Sequence, residues 1–221
     1  MILATPTSAA EYLPPQRDLA TLKAALSHCA ACNLCAKATQ GVFGHGNPKA
    51  TLMLVGEQPG DLEDQLGIPF QGPAGNILDI ALKAALLDRD DLYLSNAVKA
   101  FKFRPEGKRR IHEKPNPREV ATCKVWLQAE LLAVKPEVVV CLGLTAALAV
   151  LGKSVRLMDL KDKVIDIGDF RKVLVTHHPA HILRILDSQE KQMAMEELIL
   201  ALKKARMLQQ PNLAVDVVRL R

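Results

Sequence analysis

The segment GKRRIHEKPNP, Gly107 to Pro117, sets a histidine directly behind Lys108, Arg109 and Arg110. The cations alone would suit phosphate, but His112 adds the possibility of chemistry. Neighbouring positive charge disfavours the imidazolium form and leaves a neutral ring with a free lone pair. Such a ring can act as a nucleophile or as a general base, and spacing does not separate the two. A second candidate group is HHPAHILR, with His177, His178, His181 and Arg184. Adjacent residues of an extended chain point to opposite sides, so at most one of His177 and His178 faces a crevice. His178 is the candidate. A third is GEQPGDLEDQLGIPFQGPAG, in which Gly56, Gly60, Gly67, Gly72 and Gly75 let backbone approach a ligand and Glu57, Asp61, Glu63 and Asp64 supply carboxylates. No Gly-Lys-Ser/Thr follows, and the glycine spacing is wrong for a dinucleotide fingerprint. An acidic surface loop is the plain alternative. Phe70, alone in this polar stretch, either stacks on a flat ring or anchors the loop to the core.

The cysteines form a fourth constellation. CAACNLC places Cys29, Cys32 and Cys35 at two-residue intervals, with Cys123 and Cys141 far downstream. A CxxC pair with distant partners suits zinc or an iron–sulfur cluster, zinc being the first physical guess. Cys141, inside VVVCLG, reads as a small buried hydrophobe.

These groups need elements to position them. Residues 17–28 carry helical spacing at Leu19, Leu22 and Leu26. TLMLVG, LYLSNAV, EVVVCLG and RKVLVT read as strands, separated by helices over NILDIALKAALL, NPREVATCKVWLQAELLAV and LTAALAVLG. A long amphipathic helix, SQEKQMAMEELILALKKARML, closes the pattern. Asn116, Pro117 and Glu119 are helix-start signals. Strands alternating with helices predict an α/β domain with a mostly parallel central sheet. In such a sheet the segments 57–76, 99–116 and 177–184 follow strand ends and should converge on one crevice. The expected organisation is a loose arm over 1–16, a single domain over 17–207 and a C-terminal tail over 208–221.

Composition agrees with a folded domain: 221 residues, 49% hydrophobic, with a net charge of +5. Cations from Lys99 to Arg118 meet only Glu106 and Glu113, so positive charge concentrates there. No apolar run reaches the roughly 18–20 residues that span a bilayer. The N-terminus lacks the basic and apolar regions of a secretory signal, and five cysteines favour thiols over disulfides. A cytoplasmic protein is expected.

Taken together, GEQPGDLEDQLGIPFQGPAG, LSNAVKAFKF, GKRRIH and HPAHILR resemble the UdgX type of uracil-DNA glycosylase, a relative of the family 4 iron–sulfur enzymes. The resemblance is colinear from about Cys29 to Arg184, and the Glu-Gln pair and the KRRIH insertion set this type apart. It implies a three-layer α/β/α sandwich that takes a flipped uracil from DNA into a crevice. By the match Phe70 stacks on the uracil, Asn96 reads its Watson–Crick edge, and Gly56 and Asp61 complete the substrate-binding set. His178 steadies the charge developing on uracil O2, while Glu57 and Gln58 lie beside the sugar. His112 captures C1′ of the abasic deoxyribose in a covalent bond, so the protein acts once and free uracil is released. Arg110 positions the loop through a phosphate or a neighbouring carboxylate; Lys108, Arg109 and Arg184 contact the DNA backbone. A monomer is expected.

The resemblance also implies a 4Fe–4S cluster on Cys29, Cys32 and Cys123. The usual fourth position is Ala100 here, and alanine cannot bind iron, so the fourth ligand comes from elsewhere, Cys35 being a candidate, or the cluster is altered or absent. A second departure is Ala180, where the motif reads His-Pro-Ser; the lost hydroxyl removes a DNA-backbone contact, for which His181 could compensate. The rival expectations are a conventional turnover glycosylase, a non-catalytic sensor of uracil-containing DNA, and a zinc-containing nucleic-acid module.

Overall fold

The computed structural model describes residues 8–152, 156–160, 163–168, 171–209 and 217–219. The first half comprises α1 (Leu19–Leu26), α2 (Asn33–Lys37), β1 (His45–Gly46), β2 (Leu52–Gly56), α3 (Asp61–Leu66), α4 (Pro73–Ala85) and β3 (Tyr93–Asn96). A hairpin follows, β4 (Phe103–Glu106) and β5 (Arg109–His112), then α5 (Pro117–Val134), β6 (Val138–Leu142) and α6 (Leu144–Leu151). The chain ends with α7 (Leu157–Leu160), β7 (Val164–Asp166), β8 (Lys172–Thr176), α8 (Pro179–Arg184), α9 (Ser188–Leu208) and β9 (Val217–Arg219).

The main sheet has the order β1-β3-β2-β6-β8-β7-β9. Its centre is parallel, β2 pairing with β3 and β6, and β6 with β8; β1 and β7 are antiparallel to β3 and β8. The period-two geometry of strands divides their side chains between two cores. Met53, Val55, Tyr93, Val139, Cys141, Val173 and Val175 pack with the buried faces of α1, α5 and α6. Leu52, Leu54, Leu94, Val138, Val140, Leu142 and Leu174 pack with those of α4, α8 and α9. Continuous apolar runs are what a sheet covered on both faces requires. The result is the three-layer α/β/α sandwich.

The start of α5 follows its sequence signals. The Asn116 side chain accepts from the Glu119 N–H at 2.9 Å, and Glu119 accepts from the Asn116 N–H at 2.7 Å. Cys141 is fully buried in the sheet, where burial raises its thiol pKa.

Two readings of the termini change. The described part of the expected loose arm includes a 3-10 helix, Ala9–Tyr12, closed by a reciprocal Ser8–Glu11 capping box. Ala9 is buried, and Tyr12 and Leu13 lie against the α5-side core, so apolar burial ties this stretch down. At the other end, β9 extends the sheet by pairing parallel with β7, which covers an otherwise open sheet edge.

The expected basic loop is also more ordered than its composition suggests. Phe103 pairs with His112 and Glu106 with Arg109 in an antiparallel hairpin, β4–β5. Gly107 opens its two-residue link at φ +58°, a conformation in which a side chain would be strained.

Candidate active site

The chain crosses from β3 on one side of β2 to β6 on the other, and ligands of open α/β sheets gather outside strand ends at such a switch point. A cleft of about 550 Å³ lies there, and all three expected segments contribute to it. Glu57 to Glu63 and Phe70 come from the segment after β2, Asn96 from the end of β3, His112 from the hairpin, and His178, Ala180 and Arg184 from the segment after β8.

Gly56 lies beneath three of the lining side chains. A methyl group built there would lie 2.4 Å from Asn96 Oδ1, 2.6 Å from Phe70 Cζ and 3.4 Å from His178 Nε2. Three candidate contact groups thus meet over one Cα that carries no side chain. Phe70 is buried and adopts φ +57°, an unusual value for a non-glycine residue. Its carbonyl accepts from Arg89 at 2.8 Å, and Gly75 leaves room for that carbonyl. The Phe70 and His178 rings lie 6.3 Å apart at 27°. Asn96 is held from behind by Lys99, whose Nζ donates to the Asn96 carbonyl at 2.9 Å. Lys99 also pairs at 2.5 Å with the fully buried Glu130. Although it belongs to the basic run in the sequence, Lys99 is therefore a core residue and no part of the exposed positive charge.

His178 has a defined tautomer. Its Nδ1 accepts the Ala180 N–H at 3.0 Å, so the neutral ring carries its proton on Nε2. Among the described residues, that buried Nε2 has no partner. Burial, reinforced by Arg184, lowers the His178 pKa to about 4. The result is a neutral donor aimed into the cleft.

His112 stands across from it. Its Nε2 is 3.8 Å from Glu57 Oε1, and its ring lies 6.1 Å from that of Phe101. Burial lowers the His112 pKa; Glu57 opposes the shift and Arg184 adds to it. The other Glu57 oxygen accepts from Thr145 Oγ1 at 2.5 Å, fixing the carboxylate. Thr145 belongs to the first turn of α6, after β6, and had no motif to announce it. A short polar residue just beyond a buried strand was the only available signal.

The hairpin is clamped at its base. Gln58 Nε2 donates to the carbonyls of Glu113 at 2.9 Å and Lys102 at 3.3 Å, while its Oε1 accepts the Lys102 N–H at 3.1 Å. Although Gln58 lines the cleft, its amide is engaged with the hairpin. Arg110 pairs with Asp61 and Asp64, each at 2.5 Å, and its guanidinium stacks over Phe101 and Phe103. Neighbouring carboxylates thus hold the Arg110 guanidinium. Asp61 lines the cleft with its carboxylate on Arg110, whereas Asp64 is fully buried. Glu63 closes the Gly-rich segment by accepting from the N–H groups of Gly60, Gln71 and Gly72. Lys108 and Arg109 are exposed at the hairpin tip, outside the cleft lining, while Arg184 lines the cleft. His181 is also outside the lining and stacks on His177, which pairs with Glu197 at 2.9 Å.

The sequence model of the uracil DNA glycosylase superfamily matches residues 43–203, which contain every element of the cleft. The chain belongs to that superfamily. It is 36% identical over 171 residues to a type-4 uracil-DNA glycosylase of Thermotoga maritima, covering 77% of this chain and 85% of the relative. A type-4 uracil-DNA glycosylase of Archaeoglobus fulgidus is 37% identical over 162 residues, covering 70% and 78%. One from Pyrobaculum aerophilum is 34% identical over 174 residues, covering 76% and 85%. Among the described residues no helix is long and apolar enough to cross a membrane.

In this glycosylase-superfamily chain the cysteines lie apart from the cleft. Cys29, Cys32, Cys35 and Cys123 line a cavity of about 110 Å³ together with Ala100 and Trp126. Hydrogen bonding to Cys35 lowers the Cys29 and Cys32 thiols to about 6, and the Cys35 thiol is raised in return. The Lys99 N–H donates to Cys123 Sγ at 3.1 Å. Among the described residues no group of three His, Cys, Asp or Glu is arranged to hold a metal ion. An iron–sulfur cluster makes a different demand, because its thiolates bind separate irons around a shared volume. The donor set fits one: four thiols surround a single cavity. The buried Trp126 Nε1–H lines the same cavity, next to the Cys29 thiol.

Proposed function

We propose that this chain excises uracil from DNA and then bonds the abasic sugar through His112, in the manner of the UdgX type. Uracil, flipped from the stack, lies on Phe70 with its edge at Asn96. As the N-glycosidic bond breaks, its electron pair leaves with uracil, and His178 Nε2–H donates to the developing charge on O2. Glu57, held by Thr145, faces the positive charge that appears at C1′. The neutral His112 ring then gives its Nε2 lone pair to C1′. The ring is briefly cationic beside Glu57 and loses its remaining N–H proton to solvent, while the uracil anion gains one from water. The new C–N bond lacks an easy leaving group, so the protein turns over once.

The observation that carries this reading is the His112–Glu57 pair at 3.8 Å, on a hairpin clamped over the cleft. Four thiols, Cys29, Cys32, Cys35 and Cys123, are available to a 4Fe–4S cluster. When bound, such a cluster would tie the CAACNLC segment to α5 and serve as a structural crosslink, away from the cleft.

The test is incubation with uracil-containing single-stranded DNA followed by denaturing electrophoresis. A denaturation-resistant adduct that disappears in His112→Ala is the expected result. Free uracil accumulating beyond one equivalent would instead indicate a turnover glycosylase. Binding with neither uracil release nor adduct would indicate a sensor.

A further inference from the structure

We propose that Cys35 is a cluster ligand, completing the set Cys29, Cys32, Cys35 and Cys123. This rests on the iron–sulfur reading above and assigns its fourth ligand. A cubane needs one donor for each of its four irons, and the cavity wall leaves little choice. Ser27 donates to the Ala24 carbonyl, Thr122 to the Arg118 carbonyl, and the Gln40 amide to the carbonyls of Asp64 and Gln65. The Thr39 hydroxyl accepts from Arg110, and Lys99 Nζ is held by Ser95, Asn96 and Glu130. Trp126 can only donate. Ala100, buried in the same wall, has no donor. Each remaining polar side chain thus has another partner or the wrong chemistry, which leaves the thiols.

Cys35 is suitably placed among them. It lies one turn into α2, whose N-cap is Cys32, and the two sulfurs are 3.6 Å apart on one side of the cavity. Cys123 reaches in from α5 on another. The fifth thiol, Cys141, is fully buried in the sheet and is absent from this wall. The CxxCxxC run therefore supplies three donors from one short segment, and a single long-range contact closes the set.

The experiment reconstitutes the full chain anaerobically with ferrous iron and sulfide. Iron and sulfide per chain, visible absorption and electron paramagnetic resonance are then recorded. Wild type and Cys141→Ala should hold about four irons per chain. Cys35→Ala should fall to three or fewer, with a changed resonance signal. Because position 100 lines the same cavity, adding Ala100→Cys to Cys35→Ala should restore the full complement. A Cys35→Ala variant with the wild-type iron count and spectra overturns the assignment. If Cys35→Ala does not fold, the double variant decides: recovery of fold and four irons supports the assignment, and no recovery overturns it. Wild type that takes up zinc in place of iron and sulfide, or takes up neither, overturns the cluster reading itself.

Discussion

Nε2 of His112 and Oε1 of Glu57 face each other at 3.8 Å across the mouth of the cleft, while Thr145 holds the second carboxylate oxygen. Glu57 is therefore oriented towards the place where positive charge would form and where the attacking ring would become cationic. Glu57→Gln keeps the shape and removes the charge. Single-turnover uracil release should slow by on the order of 10²-fold, comparable to other losses of preorganised charge stabilisation. Rapid-quench measurement of released uracil checks this, and an unchanged rate would remove Glu57 from the reaction.

The two cleft histidines set a pH dependence. Burial lowers the His178 pKa from 6.5 to about 4, and the His112 pKa is lowered in the same direction. Between about 4 and 6.5 the unfolded chain binds protons that folded His178 refuses, so stability rises with pH across that window. It should be level above it and fall as pH drops through it. Adduct formation needs neutral His112, so its rate should be flat from about pH 8 to below the ordinary imidazole value of about 6.5. Chemical denaturation and quench-flow series over pH test the two limbs separately. Adduct formation that already falls between pH 8 and 7 would contradict the neutral-imidazole account.

Gly56 leaves space that the Asn96 and Phe70 side chains occupy. Gly56→Ala would put a methyl 2.4 Å from Asn96 Oδ1 and 2.6 Å from Phe70 Cζ, displacing groups assigned to the base. Uracil excision should fall by at least about tenfold, the scale on which one methylene disturbs a fitted pocket. Circular dichroism should stay close to that of the wild type. Full activity would mean that the base lies elsewhere.

Gln58 and Arg110 separate bond formation from base release. Gln58→Ala leaves the Lys102 and Glu113 carbonyls without this donor and loosens the hairpin by about 1–3 kcal/mol. Adduct yield should drop more than uracil release does. Arg110→Ala abandons the buried Asp64 carboxylate, an arrangement that costs about 3–5 kcal/mol when one partner is removed. Its thermal midpoint should fall clearly below that of wild type. Equal losses of release and adduct in Gln58→Ala would argue against a hairpin-specific role.

Local sequence was enough for much of the fold. Runs such as Val138–Leu142 are apolar at every position because both faces of the sheet are covered, and that pattern is visible without coordinates. The Asn116–Glu119 cap, the buried Cys141 and the gathering of three segments at the strand ends follow from equally local rules. The role of the N-terminal stretch did not, because packing of Ala9 and Tyr12 against the core depends on distant elements. Side-chain direction was likewise hidden. Gln58 turns to the hairpin, Asp61 and Asp64 pair with an arginine more than forty residues away, and Lys99 leaves the basic run to meet Glu130. Thr145 joins Glu57 from just beyond the neighbouring strand β6. Residue type and spacing pointed to the candidate groups and to the segments that carry them. Only the tertiary structure decided which partner each charge takes, because a long-range ion pair forms where folding removes water and leaves one partner within reach.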